Sequence, residues 1–389
     1  AAPAPVRGAA AAGSGALAVE VFRHPRDLPP DVVALFEAAA RGASVELGLE
    51  WHALLVDHVF EATNEVRFFV LRRSGAAVAA LPMRRAHDDP RRAHSLSNYY
   101  TALYAPAFQD GVDAAELVPL LRAVRREWRG AAVFDFEPLD PASREYGLLE
   151  AALKRARIVP FRYFRFGNWY LPSCGLESGP YLAAREGSVR STIKRMGKKF
   201  AAQGGRLEVI TGGERVQAGI AAYEKVYASS WKIPEPYPEF VRGLVRCGAA
   251  QGWLRLGVAW LGEEPIAAQI WITAFGRAEI FKLAYDEAHK ALSAGTLLTT
   301  LLMTKALDED RVHEVDYLIG DDPYKRAWMS ERRERWGLVA YSAASPAGLF
   351  GLAREGLQRT LKKIAALRVF SRFARVPENV SAQAGATPH

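Results

Sequence analysis

Two stretches of the chain show short apolar runs that meet at a glycine-containing turn, which is the pattern of a β hairpin. Residues 67–83 form two β-rich runs around a Ser-Gly turn, and residues 254–272 repeat the plan. Apolar runs bounded by such turns favour antiparallel strand pairing. In both stretches a pair of alanines, at 79–80 and at 267–268, enters the second strand. The chain therefore places two similar hairpins far apart in sequence.

Each hairpin is followed by an apolar helix and then by a strand that carries one acid. In the first half the helix covers about residues 114–129 and the strand carries Asp135; in the second the helix covers about 296–308 and the strand carries Asp316. The alanine pairs lie 188 positions apart (267 − 79) and the two aspartates 181 apart (316 − 135). This spacing predicts an internal duplication. Two unrelated α/β units that share common parts are the alternative.

The boundary between the halves is expected near residues 161–191, where Pro and Gly interrupt the pattern before a basic helix begins. The mixed succession of hairpins and helices predicts α+β units built on largely antiparallel sheets. The predicted parts are a disordered lead-in (1–16), a first domain (17–165), a second domain (166–345) with the basic helix at 188–203, an amphipathic helix (346–376) and a disordered tail (377–389).

Composition and length narrow the class of protein. The chain has 389 residues, 50% of them hydrophobic, which is enough for two ordinary cores. Its apolar runs fall short of the roughly 20 residues that cross a bilayer. Cys174 and Cys247 stand apart, without ligands at metal-binding spacing, so neither a disulfide framework nor a metal site is predicted. These features predict a cytoplasmic globular protein.

The net charge of +8 is concentrated in two segments. Residues 190–199 contain five Lys or Arg and no acid, and residues 346–375 contain seven against Glu355 alone. The second segment is predicted to form a basic amphipathic helix. Its apolar side is formed by Phe350, Ala353, Leu357, Leu361 and Ile364. The helix is expected to pack on the body with its charged side outward; the alternative is that it lies on anionic lipid and holds the protein peripherally at the inner membrane.

The start of the second apolar helix is a candidate phosphate site. Ser293, Ala294 and Gly295 leave backbone N–H groups open there, and the helix dipole favours a negative charge. An ordinary helix cap is the alternative. The matching helix of the first half begins with DGVDAAEL, whose acids would repel phosphate. A phosphate-bearing donor is therefore expected in the second half.

The segment from residue 267 to 328 contains AAQIW, KLAYD, SAGTLL, VDYLIGDD and YKRAW. On these motifs the chain resembles the acetyltransferase family of the GNAT superfamily that is found in polysaccharide-biosynthesis loci, which is similar to the tandem-GNAT Fem aminoacyltransferases. The resemblance implies two tandem GNAT-like domains. It also implies transfer of an acyl group from coenzyme A, an acyl carrier protein or aminoacyl-tRNA to an amine or hydroxyl. HKALSAG stands where the family has its full glycine-rich phosphate loop, so the choice among these donors stays open.

On this resemblance the donor would be held by the helix start and the KLAYD strand, through Ser293, Ala294, Gly295, Thr296, Leu283 and Tyr285. Tyr324 and Lys325 occupy the place of an aromatic-Lys pair in the Fem relatives, where the lysine lies near the transferred group. An ammonium there would stabilise an oxyanion or hold a phosphate. Asp316 is a candidate proton acceptor, with a buried arginine partner as the equal alternative. Asp316, Lys325 and Tyr324 are thus the predicted catalytic residues.

The acceptor is expected between the two halves. Aromatic walls with polar tips suit a sugar or an amino acid, although the same rings could simply seal a domain interface. The predicted acceptor residues are Asn98, Tyr99, Tyr100, Trp231, Lys232, Gln269 and Asp321.

Three functions follow as hypotheses. The first is acyl transfer from acyl-CoA or an acyl carrier protein to an amine or hydroxyl of a saccharide precursor or amino compound. It proceeds by direct attack, because the sequence offers no recognisable nucleophile-base pair. The second is a Fem-like transferase that uses aminoacyl-tRNA and grips RNA phosphates with residues 190–199. The third is a non-catalytic adaptor that contacts a membrane surface through residues 346–375.

Overall fold

The computed structural model describes residues 16–373, with side chains to residue 361. Apart from residue 16, the predicted lead-in and tail lie outside the described residues. The strands are β1 Leu17–Phe22, β2 Asn64–Arg73, β3 Ala76–Ala86, β4 Arg92–Ser95, β5 Ala107–Phe108, β6 Val133–Leu139, β7 Ile158–Pro172, β8 Gly205–Ile210, β9 Leu254–Leu261, β10 Glu264–Ala274, β11 Arg277–Tyr285, β12 Glu314–Asp316 and β13 Glu331–Ser342.

The helices flank this set of strands. They are α1 Pro30–Gly42, α2 Leu49–Leu55, α3 Val118–Glu127, α4 Arg144–Arg155, α5 Ser178–Ala183, α6 Gly187–Ala202, α7 Arg215–Ala228, α8 Pro238–Ala250, α9 Ala294–Thr304, α10 Pro323–Arg326 and α11 Pro346–Phe373. A 3₁₀ segment, Glu287–Leu292, leads into α9, and a π-helical turn, Lys305–Glu309, extends it. The prediction of an α+β fold is confirmed.

All the strands belong to one sheet whose order is β1-β2-β3-β4-β6-β13-β7-β12-β11-β10-β9-β8, with β5 beside β3. Read from either edge, the sheet repeats the same plan. β2 and β3 form an antiparallel hairpin, as do β9 and β10. β4 runs parallel to β6, as β11 does to β12. The duplication predicted from the spacing is therefore visible in the pairing, with Asp135 and Asp316 on the corresponding strands β6 and β12.

The two halves exchange their last strands. β7, which closes the first half in sequence, pairs with β12 of the second, and β13 of the second half pairs with β6 of the first. β7 and β13 also pair with each other, from Ile158 with Ser342 to Tyr170 with Glu331. The predicted division at residues 165/166 falls inside β7. The division of the chain into two domains at that point stays a prediction.

Helices from both halves share a core on one face of the sheet. α1 and α2 of the first half and α7 and α8 of the second bury Phe36, Trp51, Tyr223 and Phe240 in one apolar cluster. The Trp51 ring meets the Phe240 ring edge-on at a centroid distance of 5.1 Å. Edge-to-face aromatic pairs add about 0.5–1.5 kcal/mol to simple burial. This shared core holds the halves together independently of the exchanged strands.

α11 packs on the end of β13 with the face opposite to the one that sequence predicts. A Cβ at Gly348 would lie 2.0 Å from the Ser342 carbonyl oxygen, and one at Gly351 would lie 2.4 Å from the Tyr341 ring. The glycine side therefore approaches the sheet more closely than a side with large residues could. Leu357 and Phe350 consequently face outward, and Phe350 is 73% exposed. The apolar side, which is expected from sequence to pack on the body, is therefore exposed in the structure.

Within residues 16–373, no helix combines the length and the apolar character needed to cross a membrane.

Candidate functional site

The sheet opens between β11 and β12. These parallel strands pair over three residues only, Arg277–Glu279 with Glu314–Asp316, after which β11 continues to Tyr285 and β12 ends. β11 also carries a bulge, because Ile270 and Trp271 of β10 face Lys282 and Ile280 and leave Phe281 unpaired. A bulge increases the local twist and redirects the strand. The two strands thus diverge and leave a cleft.

Two adjoining cavities fill this cleft. The α9 cavity, about 410 Å³, lies at the start of α9 and includes Leu283, Gly295 and Trp328 in its lining. The lysine cavity, about 270 Å³, is named for Lys232, Lys282 and Lys325 in its lining. Both cavities are lined by Leu283, Tyr317 and Tyr324. The boundary between them therefore consists of one apolar side chain and two phenols.

The helix start in the α9 cavity offers unpaired backbone donors. Ser293 has a left-handed backbone, with φ of 52°, and turns the chain from the 3₁₀ segment into α9. The first N–H groups of a helix have no partner inside it, so those of Ala294 and Gly295 are free for a ligand. Gln269 fixes the turn, because its side-chain amide donates to the Gly295 carbonyl at 2.9 Å and to the Thr299 hydroxyl at 2.8 Å.

The corresponding helix start in the first half is occupied by its own side chain. The Asp113 carboxylate accepts hydrogen bonds from the N–H groups of Ala115 and Glu116, at 2.7 and 3.0 Å. Those donors are therefore taken, and a carboxylate stands where a phosphate would have to bind. The asymmetry expected from sequence between the two helix starts is present in the structure.

All six predicted donor residues line the α9 cavity: Ser293, Ala294, Gly295, Thr296, Leu283 and Tyr285. Trp231 and Gln269, predicted for the acceptor, line this cavity too, and the Trp231 ring lies 4.6 Å from that of Tyr285. Both are absent from the residues around the lysine cavity. β10 and the loop after α7 thus present both residues to the start of α9, beside the predicted donor residues, and their role in acceptor binding stays a prediction.

Tyr99, Tyr100 and Lys232, also predicted for the acceptor, line the lysine cavity. Asn98 lines neither cavity. Its side-chain oxygen accepts a hydrogen bond from the Tyr100 N–H at 3.0 Å and so shapes the turn that presents the two tyrosines.

Asp316 is bound to an arginine, which is the structural alternative to a catalytic role. It is 7% exposed and lines neither cavity. One carboxylate oxygen accepts from the Asn168 amide at 2.5 Å and from the Leu318 N–H at 2.6 Å, and the other pairs with Arg333. These bonds hold Leu318 in a left-handed conformation, with φ of 51°. Asp316 therefore shapes the loop that leaves β12 and is not placed to receive a proton from an acceptor.

Lys325 is buried beneath the same loop. Its ammonium donates to the carbonyl oxygens of Tyr317, at 3.2 Å, and Ile319, and lies 3.6 Å from a carboxylate oxygen of Asp322. Burial lowers the pKa of Lys325 although Asp322 opposes the shift. The ammonium is thus largely committed to backbone carbonyls, and only one side of it borders the lysine cavity.

The two acids at the end of the loop point in different directions. Asp321 accepts from Arg332 at 2.7 Å and from the Trp169 indole at 2.7 Å and lines neither cavity, so its acceptor role stays a prediction that these contacts do not support. Asp322 lines the lysine cavity, and its side chain is 58% exposed. Its neighbour Tyr324 has a raised pKa because of burial and of the nearby Asp322 carboxylate. The Tyr324 phenol therefore stays protonated at neutral pH.

Sequence reasoning missed a carboxylate that joins the halves at the lysine cavity. Glu235, in the loop between α7 and α8, accepts from the Tyr99 phenol at 2.5 Å, from the Tyr100 phenol and from the Lys282 ammonium at 2.9 Å. Burial would raise the pKa of Glu235, but the hydrogen bonds from the tyrosines outweigh it and lower that pKa. The Pro-rich segment IPEPYP gave no chemical signal for this role.

Residues 187–326 match the acetyltransferase (GNAT) domain family. The second half of this chain is a GNAT acetyltransferase domain. The first half, α1 and β1–β6 with β13, repeats its strand plan, so the whole is a tandem GNAT fold. The match at residues 187–326 supports an N-acyltransferase of the GNAT superfamily, and the fold of the whole chain is similar to that of a Fem transferase. No curated protein matches it in sequence.

Solved structures share this fold at low sequence identity. FemX superposes with a TM-score of 0.58 at 10% identity, covering 85% of this chain and 99% of its own. A tandem GNAT protein from the clavulanic acid biosynthesis pathway gives 0.50 at 14% identity, covering 85% and 100%. L-PGS from Bacillus licheniformis gives 0.50 at 12% identity, covering 83% and 94%. At such identities the likeness concerns the fold alone.

Among the described residues, no group of three or more His, Cys, Asp or Glu side chains is arranged to hold a metal ion.

The structural role of Asp316 is testable by substitution. Asp316→Asn removes a charged partner of Arg333, which keeps its hydrogen bonds to Glu314. We expect a loss of about 1.5–3 kcal/mol in the free energy of unfolding, the usual value of a hydrogen bond to a charged group. Chemical denaturation measures this loss. Asp135→Asn, at the corresponding strand position, is the matched control and should destabilise similarly, because Asp135 is bound by Arg92 and Tyr163. Unchanged stability with a kcat at least a hundredfold lower would contradict the structural assignment.

Proposed function

We propose that this chain transfers an acyl group from acyl-CoA or an acylated carrier protein, bound in the α9 cavity, to an amine bound in the lysine cavity. The observation that carries this proposal is the junction of the two cavities at Leu283, Tyr317 and Tyr324. A thioester that enters along α9 would present its carbonyl carbon at this junction. An amine in the lysine cavity would then approach the same carbon from the other side, as direct attack requires.

The residues at the junction suit the proton transfers of this reaction. The amine must lose a proton as its nitrogen bonds to the carbonyl carbon, and Asp322 is the exposed carboxylate in the lining of the lysine cavity. When the carbon–sulfur bond breaks, the leaving thiolate takes up a proton. The Tyr324 phenol borders both cavities and stays protonated, so it can supply that proton. Glu235 is a poorer base, because three donors already occupy its carboxylate.

The donor side combines a phosphate site with an apolar channel. The N–H groups of Ala294 and Gly295 and the positive end of the α9 dipole would meet a pyrophosphate or phosphopantetheine phosphate. Leu283, Trp231 and Tyr285 would line the path of the pantetheine arm. α6 packs beside α9, where a Cβ at Gly197 would lie 3.8 Å from the Leu297 side chain, and its Arg190, Lys194 and Lys198 are exposed. This basic face would attract further phosphates or an acidic carrier protein.

The exposed basic face of α6 also supports a second candidate, the Fem-like reaction with aminoacyl-tRNA. An RNA donor would need many backbone contacts, and its binding would weaken steeply as salt rises. Replacing Lys194 and Lys198 with Glu separates the candidates. Under the acyl-CoA proposal, coenzyme A affinity falls only slightly in this double variant. Under the tRNA alternative, filter binding of aminoacyl-tRNA is detectable in the unsubstituted protein and lost in the variant.

The donor site can be tested at Gly295. A Cβ there would meet nothing closer than the Tyr285 ring at 3.8 Å, so the fold has room for a side chain. Gly295→Glu should abolish coenzyme A binding in calorimetry, because its carboxylate would occupy and repel the phosphate position. Gly295→Ala is the control for the fold and should retain the thermal stability of the original protein. A Gly295→Glu variant that binds coenzyme A with unchanged affinity would place the donor elsewhere.

The proton transfers can be tested with neighbouring acids. Asp322→Asn should lower kcat by roughly 10²–10⁴-fold, the usual value of general-base catalysis, and Tyr324→Phe should lower it as well. Donor affinity should stay within a few fold in both. Asp321→Asn is the matched control and should keep its turnover, because Asp321 faces Arg332 and Trp169. Release of free thiol from acetyl-CoA with a reacting amine measures all three. Equal turnover in Asp322→Asn and Asp321→Asn would exclude Asp322 as the base.

We also propose that α11 binds an anionic lipid surface. Phe350, Leu357 and Leu361 recur on the outward face and are all more than half exposed. Residues 346–375 contain seven basic residues and one acid, a composition that complements acidic headgroups. An apolar stripe with basic flanks is the arrangement of helices that lie in a membrane interface. α11 begins after the end of β13, whereas the loop at Asp322 precedes the start of that strand. β13 has 12 residues, which corresponds to a length of roughly 35 Å. Lipid contact by α11 would therefore leave the cleft open.

Vesicle co-sedimentation tests the lipid contact. The protein should bind vesicles that contain phosphatidylglycerol and not vesicles of phosphatidylcholine alone. Phe350→Glu with Leu357→Glu should weaken binding by about tenfold or more, since each large apolar side chain contributes over 1 kcal/mol when buried. Leu17→Glu, at an exposed apolar position on β1, is the control and should bind normally. If the outward face of α11 instead binds a second copy of the chain, sedimentation velocity should show dimers and the protein should not bind vesicles. The double substitution should then abolish the dimers.

A further inference from the structure

We propose that the acceptor carries an anionic group, a carboxylate or a phosphate, which binds Lys232 while Asp322 faces the reacting amine. This inference rests on the proposed function, because it takes the lysine cavity as the acceptor site. It adds the chemical class of the acceptor, an amine with a nearby negative charge.

The three ammonium groups around the lysine cavity differ in how they are compensated. Lys282 is paired with Glu235 at 2.9 Å. Lys325 donates to backbone carbonyls and has Asp322 at 3.6 Å. Lys232, by contrast, has no carboxylate oxygen within 4 Å and donates no side-chain hydrogen bond among the described residues. It is therefore the cation of this cavity that the protein leaves without an ionic partner.

The surroundings of Lys232 make that lack of a partner costly. Its ammonium lies 5.6 Å from the centre of the Trp231 ring and 5.7 Å from that of Tyr227, so rings replace part of its water. Aromatic faces attract a cation, but each contributes only about 0.5–2 kcal/mol. Burial, together with the ammonium of Lys282, lowers the pKa of Lys232 to about 8. A bound anion would offset both the desolvation and the repulsion.

The negative charge of Asp322 in the same cavity would determine which end of the acceptor faces the donor. Asp322 lies on the loop that leads to Tyr324, the phenol at the junction with the α9 cavity. An amino group that binds as an ammonium beside Asp322 would thus lie at the reacting end of the cavity, where it must first lose one proton to water before its nitrogen can attack the carbonyl carbon. Lys232 contributes from the loop after α7 and would hold the other end of the same molecule. Electrostatic complementarity of this kind selects a molecule with both charges over a simple amine.

The charge state of Lys232 predicts a pH dependence. Its ammonium form binds an anion and its neutral form does not. The other charged groups that line the cavity are the ammoniums of Lys282 and Lys325 and the carboxylate of Asp322, and Glu235 lies behind them, bound to Lys282. Because the pKa of Lys232 is about 8, its charge changes just above neutral pH. Anion affinity should therefore be full below pH 7 and fall as the pH rises through 8.

Competitive labelling of lysines tests this site without knowledge of the acceptor. The full chain is treated with a trace of acetic anhydride across a pH series, and acetylation at each lysine is quantified by mass spectrometry. Lys232 should titrate near pH 8, and inorganic phosphate or acetate should raise its pKa and slow its labelling. Lys225, exposed and paired with Glu264, is the internal control and should not respond. Whichever of the two anions protects at lower concentration identifies the phosphate or carboxylate class.

Two variants separate anion binding from other roles of Lys232. Lys232→Arg keeps a cation that cannot act as a base and should retain phosphate binding. Lys232→Met should weaken it by about 10- to 100-fold, the value of a hydrogen bond between charged groups. In thiol-release assays amino acids should react better than the corresponding amines that lack the carboxylate. Labelling of Lys232 that neither anion changes would overturn the proposal, and so would an Arg variant as weak as the Met variant.

Coenzyme A affinity, measured separately in the same variants, distinguishes this failure from failure of the proposed function. Intact coenzyme A binding with no anion effect would refute only the acceptor class. If the protein shows neither coenzyme A binding nor an effect of the anions on Lys232, the assignment of the cleft as the active site would be refuted.

Discussion

The cleft depends on how soon β11 and β12 stop pairing. Parallel strands that continued beyond Glu279 and Asp316 would satisfy each other's backbone groups and close the space that the cavities occupy. Hydrogen bonds among Asp316, Asn168 and Arg333 fix the chain where β12 ends. Lys325 fixes the loop that follows by donating to a backbone carbonyl of that loop. Buried charges of this kind remain only where partners compensate them. The most polar part of the second half is therefore scaffolding for the site.

The same plan in the first half lacks a comparable opening at its helix start. β4 and β6 also pair over three residues, and Asp135 is bound as Asp316 is. Yet Asp113 occupies the first N–H groups near α3. The first half instead contributes Tyr99 and Tyr100, which Glu235 fastens to the second half. One copy of the fold thus has the open helix start that we propose as the donor site, while the other forms a wall of the lysine cavity.

Much of this architecture could be predicted from the sequence. The hairpins and the two helices before Asp135 and Asp316 follow from apolar periodicity and turn residues, and small residues predicted the open start of α9. The exchange of β7 and β13 between the halves could not be predicted from the sequence, because strand order depends on contacts between distant segments. The direction of α11 was missed because close packing at Gly348 and Gly351 outweighed the apolar pattern.

The chemical roles were harder to predict than the elements. A single acid on a strand can face a cleft or pair with a buried arginine. For Asp316, the position of Arg333 in the structure shows that it pairs with an arginine. Asp321 and Asp322 are adjacent in sequence, but the turn that follows Gly320 sends them to opposite sides. Glu235 and Lys282 lie 47 positions apart and became recognisable only as a pair.

A crystal structure of the protein with coenzyme A would show directly whether the donor binds at the start of α9. We expect the pantetheine arm to lie between β11 and α9, with its thiol at Tyr324 and its phosphates at the N–H groups of Ala294 and Gly295. Coenzyme A bound at the start of α3, or only on the outer face of α6 with the cleft between β11 and β12 empty, would contradict it.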